Sequence, residues 1–136
     1  MNIEFTNNLK SSEIEFLTQK INDETQEYGK AYQFAFFIKG IDNEIIAGCN
    51  GSVIFGVIYT DQLWVKNELR GQGIGKQLMG KIHEYGKEIG CQISTVATMS
   101  FQAKEFYESL GYVVEFERHG YTNESFMIFL KRNISS

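Results

Sequence analysis

Leu63-Trp64-Val65-Lys66-Asn67-Glu68-Leu69-Arg70-Gly71-Gln72-Gly73-Ile74-Gly75-Lys76 is the stretch from which the architecture can be read. Leu63, Trp64 and Val65 close a run rich in aromatic and β-branched residues, the composition of a strand. From Ile74 the period changes: Ile74, Leu78, Ile82, Tyr85 and Ile89 follow at intervals of 4, 4, 3 and 4, one face of a helix. Lys76, Lys81, Glu84, Lys87 and Glu88 cover the other side, and Gly90 stands where a C-terminal cap belongs. Cys91–Met99 then reads as a strand again. A strand–helix–strand unit from Leu63 to Met99 requires a crossover between parallel strands.

The junction Arg70-Gly71-Gln72-Gly73-Ile74-Gly75-Lys76 has the chemistry of an anion site. Glycines let the backbone come close to a ligand, and the first-turn amides are unpaired donors at the positive end of the helix dipole. Arg70 and Lys76 add formal charge. A pyrophosphate fits this description; the bland alternative is a glycine-rich helix start that simply packs closely on a sheet. Two other phosphate motifs are excluded. A G-x-G-x-x-G beginning at Gly71 would need glycine where Lys76 stands, and a Walker loop ending in Gly75-Lys76 would need glycine at Arg70 and Ser or Thr at Gln77.

Working outward, Ala31–Lys39 and Ile45–Val65 are strand-like, with Asp42-Asn43 as turn chemistry between them. Gly48, Gly51 and Gly56 divide the second stretch into strands at about 45–55 and 57–65, giving an antiparallel meander. Ile3 and Phe5 alternate with polar residues and predict a first strand. Ser12-Glu13-Ile14-Glu15 has the form of a capping box, followed by Ile14, Leu17 and Ile21 on one helical face fading near Gly29. Phe101–Leu110 predicts a shorter helix carrying Ala103, Phe106, Tyr107 and Leu110 on one side and stopped by Gly111. Strands at about Tyr112–Arg118 and Ser125–Lys131 follow, joined by a loop containing His119. The order β-α-β-β-β-α-β-α-β-β predicts an α/β (α+β) fold with a mixed, mostly antiparallel sheet and flanking helices.

The chain has 136 residues, 43% hydrophobic and 22% charged, enough for one domain, 1–136, with a packed core. Its net charge of −4 has the wrong sign for a general nucleic-acid or anionic-membrane binder, so neither is expected as a partner. The longest apolar run, Val53–Tyr59, is broken by Gly56, and the first residues lack a signal peptide's pattern, so a cytoplasmic location is expected. Cys49 and Cys91 are the only cysteines, without C-x-x-C spacing or histidine partners, which predicts no metal site and no disulfide scaffold.

Further residues extend the pattern of the glycine turn. Leu63-Trp64-Val65 ahead of Arg70–Lys76, then Gly90-Cys91, Thr98, Ser100-Phe101-Gln102-Ala103, Phe106-Tyr107 and Gly111-Tyr112, resemble the Gcn5-related N-acetyltransferase (GNAT) superfamily. The likeness is closest to a bacterial subgroup with LWV…RGxGIG…SFQAxxFYxxLGY, and it covers about residues 55–116. It implies the acyl-CoA N-acyltransferase fold and direct acetyl transfer from acetyl-CoA to a primary amine of a small molecule or peptide, without a metal. It further implies that Arg70, Gly71, Gln72, Gly73, Ile74, Gly75 and Lys76 hold the pyrophosphate, mostly through backbone. Leu63, Trp64 and Val65 would pair with the pantetheine arm, and a bulge in that strand would aim an amide, that of Leu63, at the thioester oxygen. Ser100 and Ala103 would sit near the thiol end. Ser100 departs from the Asn that many members carry there.

The resemblance places Tyr107 beside the sulfur as general acid, since a phenol of pKa ~10 stays protonated at neutral pH and can donate to a departing thiolate. Read from spacing alone, Tyr107 is a core aromatic on the inner face of the helix. Asp61, two residues before Leu63 and so on the same strand face in an unbulged strand, and Tyr59, two further back, are candidates for relaying the acceptor's proton through water. Glu115 and Glu117 alternate on a late strand that often borders the acceptor pocket in this superfamily. His83, among polar neighbours, reads as a surface histidine, and His119 as a loop residue at the acceptor rim. Phe34, Phe36 and Phe37 read as core, with some of them as candidates for lining the acceptor groove. The resemblance leaves the oligomeric state open, with a homodimer as a common outcome. A non-catalytic CoA-binding sensor or interaction module, and a binder of some other phosphate ligand, are the competing readings.

Overall fold

The structure is a computed structural model that describes residues 1–135. Its elements are α1 (Ser11–Glu24), β1 (Ala31–Lys39), β2 (Ile45–Ile54), β3 (Val57–Val65), α2 (Ile74–Glu88), β4 (Ile93–Met99), α3 (Lys104–Ser109), β5 (Val113–His119) and β6 (Phe126–Asn133). The strands form one six-stranded sheet in the order β1-β2-β3-β4-β6-β5. Every neighbouring pair is antiparallel except β3 and β4, which run parallel on either side of the α2 crossover. The mixed, mostly antiparallel sheet expected from the element order is therefore present. Among the described residues, no helix is long and apolar enough to cross a membrane.

The core lies on one face of the sheet. Ala47, Cys49, Ile58, Val96, Ile128 and Leu130 point there and meet Leu78, Met79 and Ile82 of α2 and Tyr107 of α3. Alternation in β1 sends Phe34 and Phe36 to this face, with ring centroids 5.5 and 6.1 Å from Tyr85, while Phe37 points the other way and is exposed. The reading of all three phenylalanines as core thus holds for two. The turn at Asp42-Asn43 is left-handed, with φ of 58° and 61°, the conformation these two residue types tolerate best.

Several local expectations are corrected. Residues 1–10 form no strand, and Ile3 and Phe5 are exposed. Helix α1 starts at Ser11 behind Lys10, whose side chain makes no capping bond, so the Ser12–Glu15 capping box does not form. Helix α3 begins at Lys104, not Phe101, because residues 100–103 first turn away from β4: Gln102 N–H reaches the Met99 carbonyl at 2.9 Å and Ala103 N–H the Thr98 hydroxyl at 3.1 Å.

One irregularity positions everything that follows. In the β2–β3 ladder Asn50 opposes Gln62 and Gly51 opposes Thr60, which leaves Asp61 as an extra residue on β3. This is a β-bulge, and it exchanges the faces of the strand. Ile58 and Thr60 face the core before it, Leu63 and Val65 after it. The same bulge ends the parallel ladder, since β3 pairs with β4 only over Val57–Thr60 against Ile93–Val96.

Candidate functional site

Beyond the bulge β3 parts from β4 and runs toward the glycine turn. Gly71 and Gly73 adopt φ of 78° and 81°, and Gly73 is the left-handed residue from which α2 starts. A Cβ at either glycine would meet nothing within 4 Å, so the space above the turn is open. The first helical amide to find a partner is that of Gln77, donating to the Gly73 carbonyl at 3.0 Å. Among the described residues, no amide from Gly71 to Lys76 donates a hydrogen bond within the chain. Arg70 folds back, its Nε donating to the Val65 carbonyl at 2.9 Å, and so pins the turn to the end of β3.

The turn opens into a groove of about 490 Å³. One wall is Leu63, Trp64 and Val65, the base is Arg70, Gly71, Gly73, Ile74, Gly75 and Lys76, and the far wall is Ala103 and Phe106 of the α3 segment. Of the residues expected to bind the cofactor, this groove gathers all but Gln72, Ser100 and Tyr107. Gln72 turns its amide toward the Glu68 carbonyl, at 3.5 Å. Ser100 is engaged elsewhere: its amide donates to the Phe126 carbonyl at 2.8 Å and its hydroxyl accepts from Phe126 N–H at 3.2 Å, which ties the end of β4 to the start of β6.

Tyr107 lies just behind the groove. Its ring packs edge-on against Phe106 at 5.1 Å and Tyr112 at 5.6 Å, and only 7% of the residue is exposed. Burial, and secondarily the nearby Cys49 thiol, push its hydroxyl up to about 12. It is thus a core aromatic, and its neighbour Phe106 is the residue that lines the groove. The Cys49 thiol is itself raised to about 11, chiefly by burial, so it stays protonated and a poor nucleophile.

Asp61, displaced by the bulge, lines a separate cavity of about 350 Å³ with Gln33, Phe34, Ala35, Asn50 and Gly51. Burial raises its carboxyl above the ordinary range. A smaller cavity of about 230 Å³ lies between this one and the groove, sharing Asn50 with the first and Trp64 with the second. Tyr59 is not brought to either: it precedes the bulge, faces away from the core, and lines a depression with Thr95, Glu115, Phe116 and Lys131. Glu115 faces Lys131 at 3.8 Å. His119 is the last residue of β5, not a loop residue; its ring stacks on Phe126 at 4.7 Å and its Nε2 lies 3.4 Å from Glu117. Among the described residues, no group of three or more metal-ligating side chains comes together.

His83 is the residue that sequence reasoning misplaced. It is buried, its Nε2 is 2.7 Å from the Tyr112 hydroxyl, and its Nδ1 is 3.1 Å from Nη1 of Arg132. A guanidinium only donates, so Nδ1 accepts and the imidazole carries its proton on Nε2. The proton chain then runs from His83 to Tyr112, and from Tyr112 to Ser94 at 2.7 Å. Arg132 also donates to the Leu110 carbonyl at 2.9 Å, so the network ties α2, β4 and β6 to the end of α3 and steadies Tyr107 from behind. The missed signal is that Met79, His83 and Gly86 recur at helical spacing beside Ile82, all of them buried.

Burial, then Arg132 and Lys87, hold His83 down at about 4, against 6.5 in an unfolded chain. The unfolded state therefore binds the extra proton between these values. Stability from the neutral imidazole is full above pH 6.5 and is lost as pH falls toward 4, by about 3 kcal/mol at ~1.4 kcal/mol per unit. Urea titrations at pH 7 and pH 5 should show about 2 kcal/mol of this loss in the wild type and much less in His83→Gln. Equal losses in both proteins would remove His83 as its source.

Residues 4–112 match the family model described as the acetyltransferase (GNAT) family. The chain belongs to the GNAT family. Blasticidin-S acetyltransferase of Streptomyces morookaense is 35% identical over 80 residues, covering 58% of this chain and 59% of that protein. This chain thus spans under two thirds of the length of that curated relative. A solved acetyltransferase from Bacillus cereus ATCC 14579 superposes with a TM-score of 0.73 at 24% identity, over 96% of this chain and 97% of that one, a likeness of fold. A Bacillus anthracis str. Ames protein assigned as a streptothricin acetyltransferase, solved in complex with acetyl coenzyme A, shares the fold with a TM-score of 0.66. It is 21% identical, over 79% of this chain and 66% of that one.

Proposed function

We propose that this chain, acting as one domain, transfers an acetyl group from acetyl-CoA directly to a primary amine of a small molecule. The observation that carries the reading is the row of unpaired amides at Gly71–Lys76, opening into a groove walled by β3 and α3. The residues fit the cofactor. The glycine turn offers donors without side-chain obstruction for a pyrophosphate, and Leu63, Ile74, Ala103 and Phe106 give an apolar path for the pantetheine arm. Acetyl-CoA supplies the acetyl group as a thioester.

The chain's own residues then have distinct tasks. The amides of residues 71–76 anchor the diphosphate, with Lys76 and Arg70 adding charge. The backbone of Leu63–Val65, freed from β4 by the bulge, lies alongside the pantetheine arm, and the Leu63 amide donates toward the thioester oxygen. A preorganised donor aimed where charge develops is worth ~10²–10³ in rate. Tyr107 holds its proton throughout the neutral range and delivers it to the departing sulfur. Asp61, made more basic by burial, takes the proton that the acceptor ammonium must lose, directly or through water. Tyr59 and Ser100 take no part. Relatives named for blasticidin S and for the ε-nitrogen of thialysine support a small-molecule acceptor.

The test is the thermal midpoint with saturating acetyl-CoA, with ATP and NAD as controls. A ligand that binds only the native state adds about 2.7 kcal/mol at ~100 times its Kd, which should raise Tm by several degrees. A rise with acetyl-CoA alone, followed by turnover on a panel of small amines, is the expected outcome. Folded protein that acetyl-CoA does not stabilise would remove the acetyltransferase reading. Tight cofactor binding with no turnover on any amine would leave a CoA-binding sensor instead.

A further inference from the structure

On the face of the sheet opposite α2 and α3, three cross-strand neighbours make a slot. Phe37 of β1, Gly48 of β2 and Trp64 of β3 stand in one row across the ladders. Phe37 and Trp64 are each about half exposed. The glycine between them carries no side chain, and the Phe37 ring leans over it: a Cβ at Gly48 would stand 2.8 Å from Cδ1 of that ring. Gly48 is therefore a floor, with an aromatic side chain on either side. Ile45 adds to the apolar lining of the resulting cavity, about 230 Å³ in volume. A cavity of about 150 Å³ is large enough for benzene, so this one takes a single ring with a short arm.

The slot ends at a polar pair. Two residues along the strands Asn50 opposes Gln62, and Asn50 Nδ2 donates to Gln62 Oε1 at 3.0 Å. Asn50 Oδ1 is buried and has no partner, one of two such side-chain atoms among the described residues. A buried acceptor without a donor is destabilising, and a ligand N–H would relieve it. The last torsion of an asparagine is broad, so a turn of the carboxamide brings Oδ1 to the cavity wall. Asn50 also lines the cavity of Asp61, whose carboxylate favours a cation there. Leu63, whose amide donates toward the thioester in the proposed reaction, lies between Gln62 and Trp64. Carboxylate, polar pair, thioester donor and aromatic wall thus follow one another along residues 61–64 of β3.

We infer that the acceptor is an arylalkylamine whose flat ring lies over Gly48, between Phe37 and Trp64, and whose nitrogen is held by Asn50 Oδ1 beside Asp61. The assignment rests on acetyl transfer as the chain's activity and names the class of amine that it uses. The length of the arm follows from the strand. Gly48 and Asn50 are about 7 Å apart, a distance spanned by a ring joined to nitrogen through two or three carbons. The slot selects the ring through its faces, because aromatic pairs gain more than the area they bury. The carboxamide oxygen accepts from the ammonium and from the free amine alike, so it keeps hold of the nitrogen while Asp61 takes the proton.

Trp64 is the only tryptophan of the chain, so its fluorescence reports on the slot without turnover. Phenethylamine, titrated into the free protein and into protein saturated with coenzyme A, should change that fluorescence saturably. Cyclohexylethylamine, of the same length but without a flat ring, should bind roughly tenfold more weakly. Phe37→Ala should remove that preference, and Asn50→Ala should weaken both amines by about tenfold or more. Because Phe37 is exposed, Phe37→Ala should keep the wild-type circular dichroism spectrum and the stabilisation by acetyl-CoA. Turnover should follow the same order, with kcat/KM higher for phenethylamine and the difference lost in Phe37→Ala. No saturable response in either form of the protein overturns the inference. So does equal affinity for the two amines, a preference that survives Phe37→Ala, or an Asn50→Ala protein that binds as tightly as wild type. Stabilisation by acetyl-CoA with turnover on other amines but not on phenethylamine would leave acetyl transfer standing and remove the arylalkylamine. Phenethylamine binding to a protein that acetyl-CoA does not stabilise would remove acetyl transfer, and with it the ring's part as acceptor.

Discussion

Tyr107→Phe should lower kcat by about 10²-fold or more, the usual contribution of a positioned proton donor, while the stabilisation by acetyl-CoA stays at the wild-type level. The substitution removes one oxygen from a ring that is already packed against Phe106 and Tyr112, so the hydrophobic contacts survive. KM for the amine should change little, because in the proposed reaction the phenol works on the departing sulfur and not on the acceptor. The raised pKa adds a second signature. With its hydroxyl held up at about 12, Tyr107 stays protonated through the whole practical range, so the wild-type rate should show no alkaline limb below about pH 10 from this group. The acid limb is expected from the groups that the proposed reaction needs deprotonated, Asp61 and the acceptor amine. A Tyr107→Phe enzyme within twofold of wild type would return the residue to its other reading, a buried aromatic that closes the groove. Steady-state kinetics at several pH values, with thermal shifts run beside them, decide between the two.

Gly51→Ala should destabilise the protein by at least about 3 kcal/mol, which for a chain of this size is a Tm loss of roughly 10 °C or more. Gly51 faces the bulge, and a Cβ built there would stand 1.7 Å from the carbonyl oxygen of Tyr59 and 3.1 Å from the ring of Phe34. The first contact is with backbone, so no side-chain rotation relieves it; β2 and β3 must separate. The residue at risk in function is then Asp61, whose position on the bulge depends on that close approach. Urea or thermal unfolding measures the loss directly. A loss under 1 kcal/mol would mean that the strands have slack at this point and that the bulge does not depend on Gly51.

The halves of the molecule were unequally legible in the sequence. Helix α2 and the glycine turn could be read because a 3.6-residue period and a left-handed glycine are local properties, written in adjacent residues. The β2–β3 division at Gly56 and the Asp42-Asn43 turn were legible for the same reason. The bulge left a fainter mark: the apolar phase of β3 slips by one residue between Thr60 and Leu63, and counting in twos from Leu63 back to Asp61 conceals it. His83 was hidden by its sequence neighbours, whose charge describes the outside of α2 while the histidine turns inward to Tyr112 and Arg132, residues 29 and 49 positions away. Ile3 and Phe5 have the alternation of a strand, but a strand also needs a partner edge, which the pattern of one segment does not contain. For the site, the groove residues were legible from the motif, whereas the separation of Tyr59 from Asp61 followed from a register shift and only the fold could show it.

The parallel ladder between β3 and β4 spans only Val57–Thr60 and Ile93–Val96, so the sheet is two leaves, β1-β2-β3 and β4-β6-β5, joined along a short seam. The groove is walled by Leu63–Val65 of the first leaf and by Ala103 and Phe106 of the α3 segment, which is tied to β4 of the second leaf. Whatever lies in the groove therefore acts as a rivet across the seam. It extends the join where the hydrogen bonds stop, and occupancy of the groove and cohesion of the sheet become one quantity.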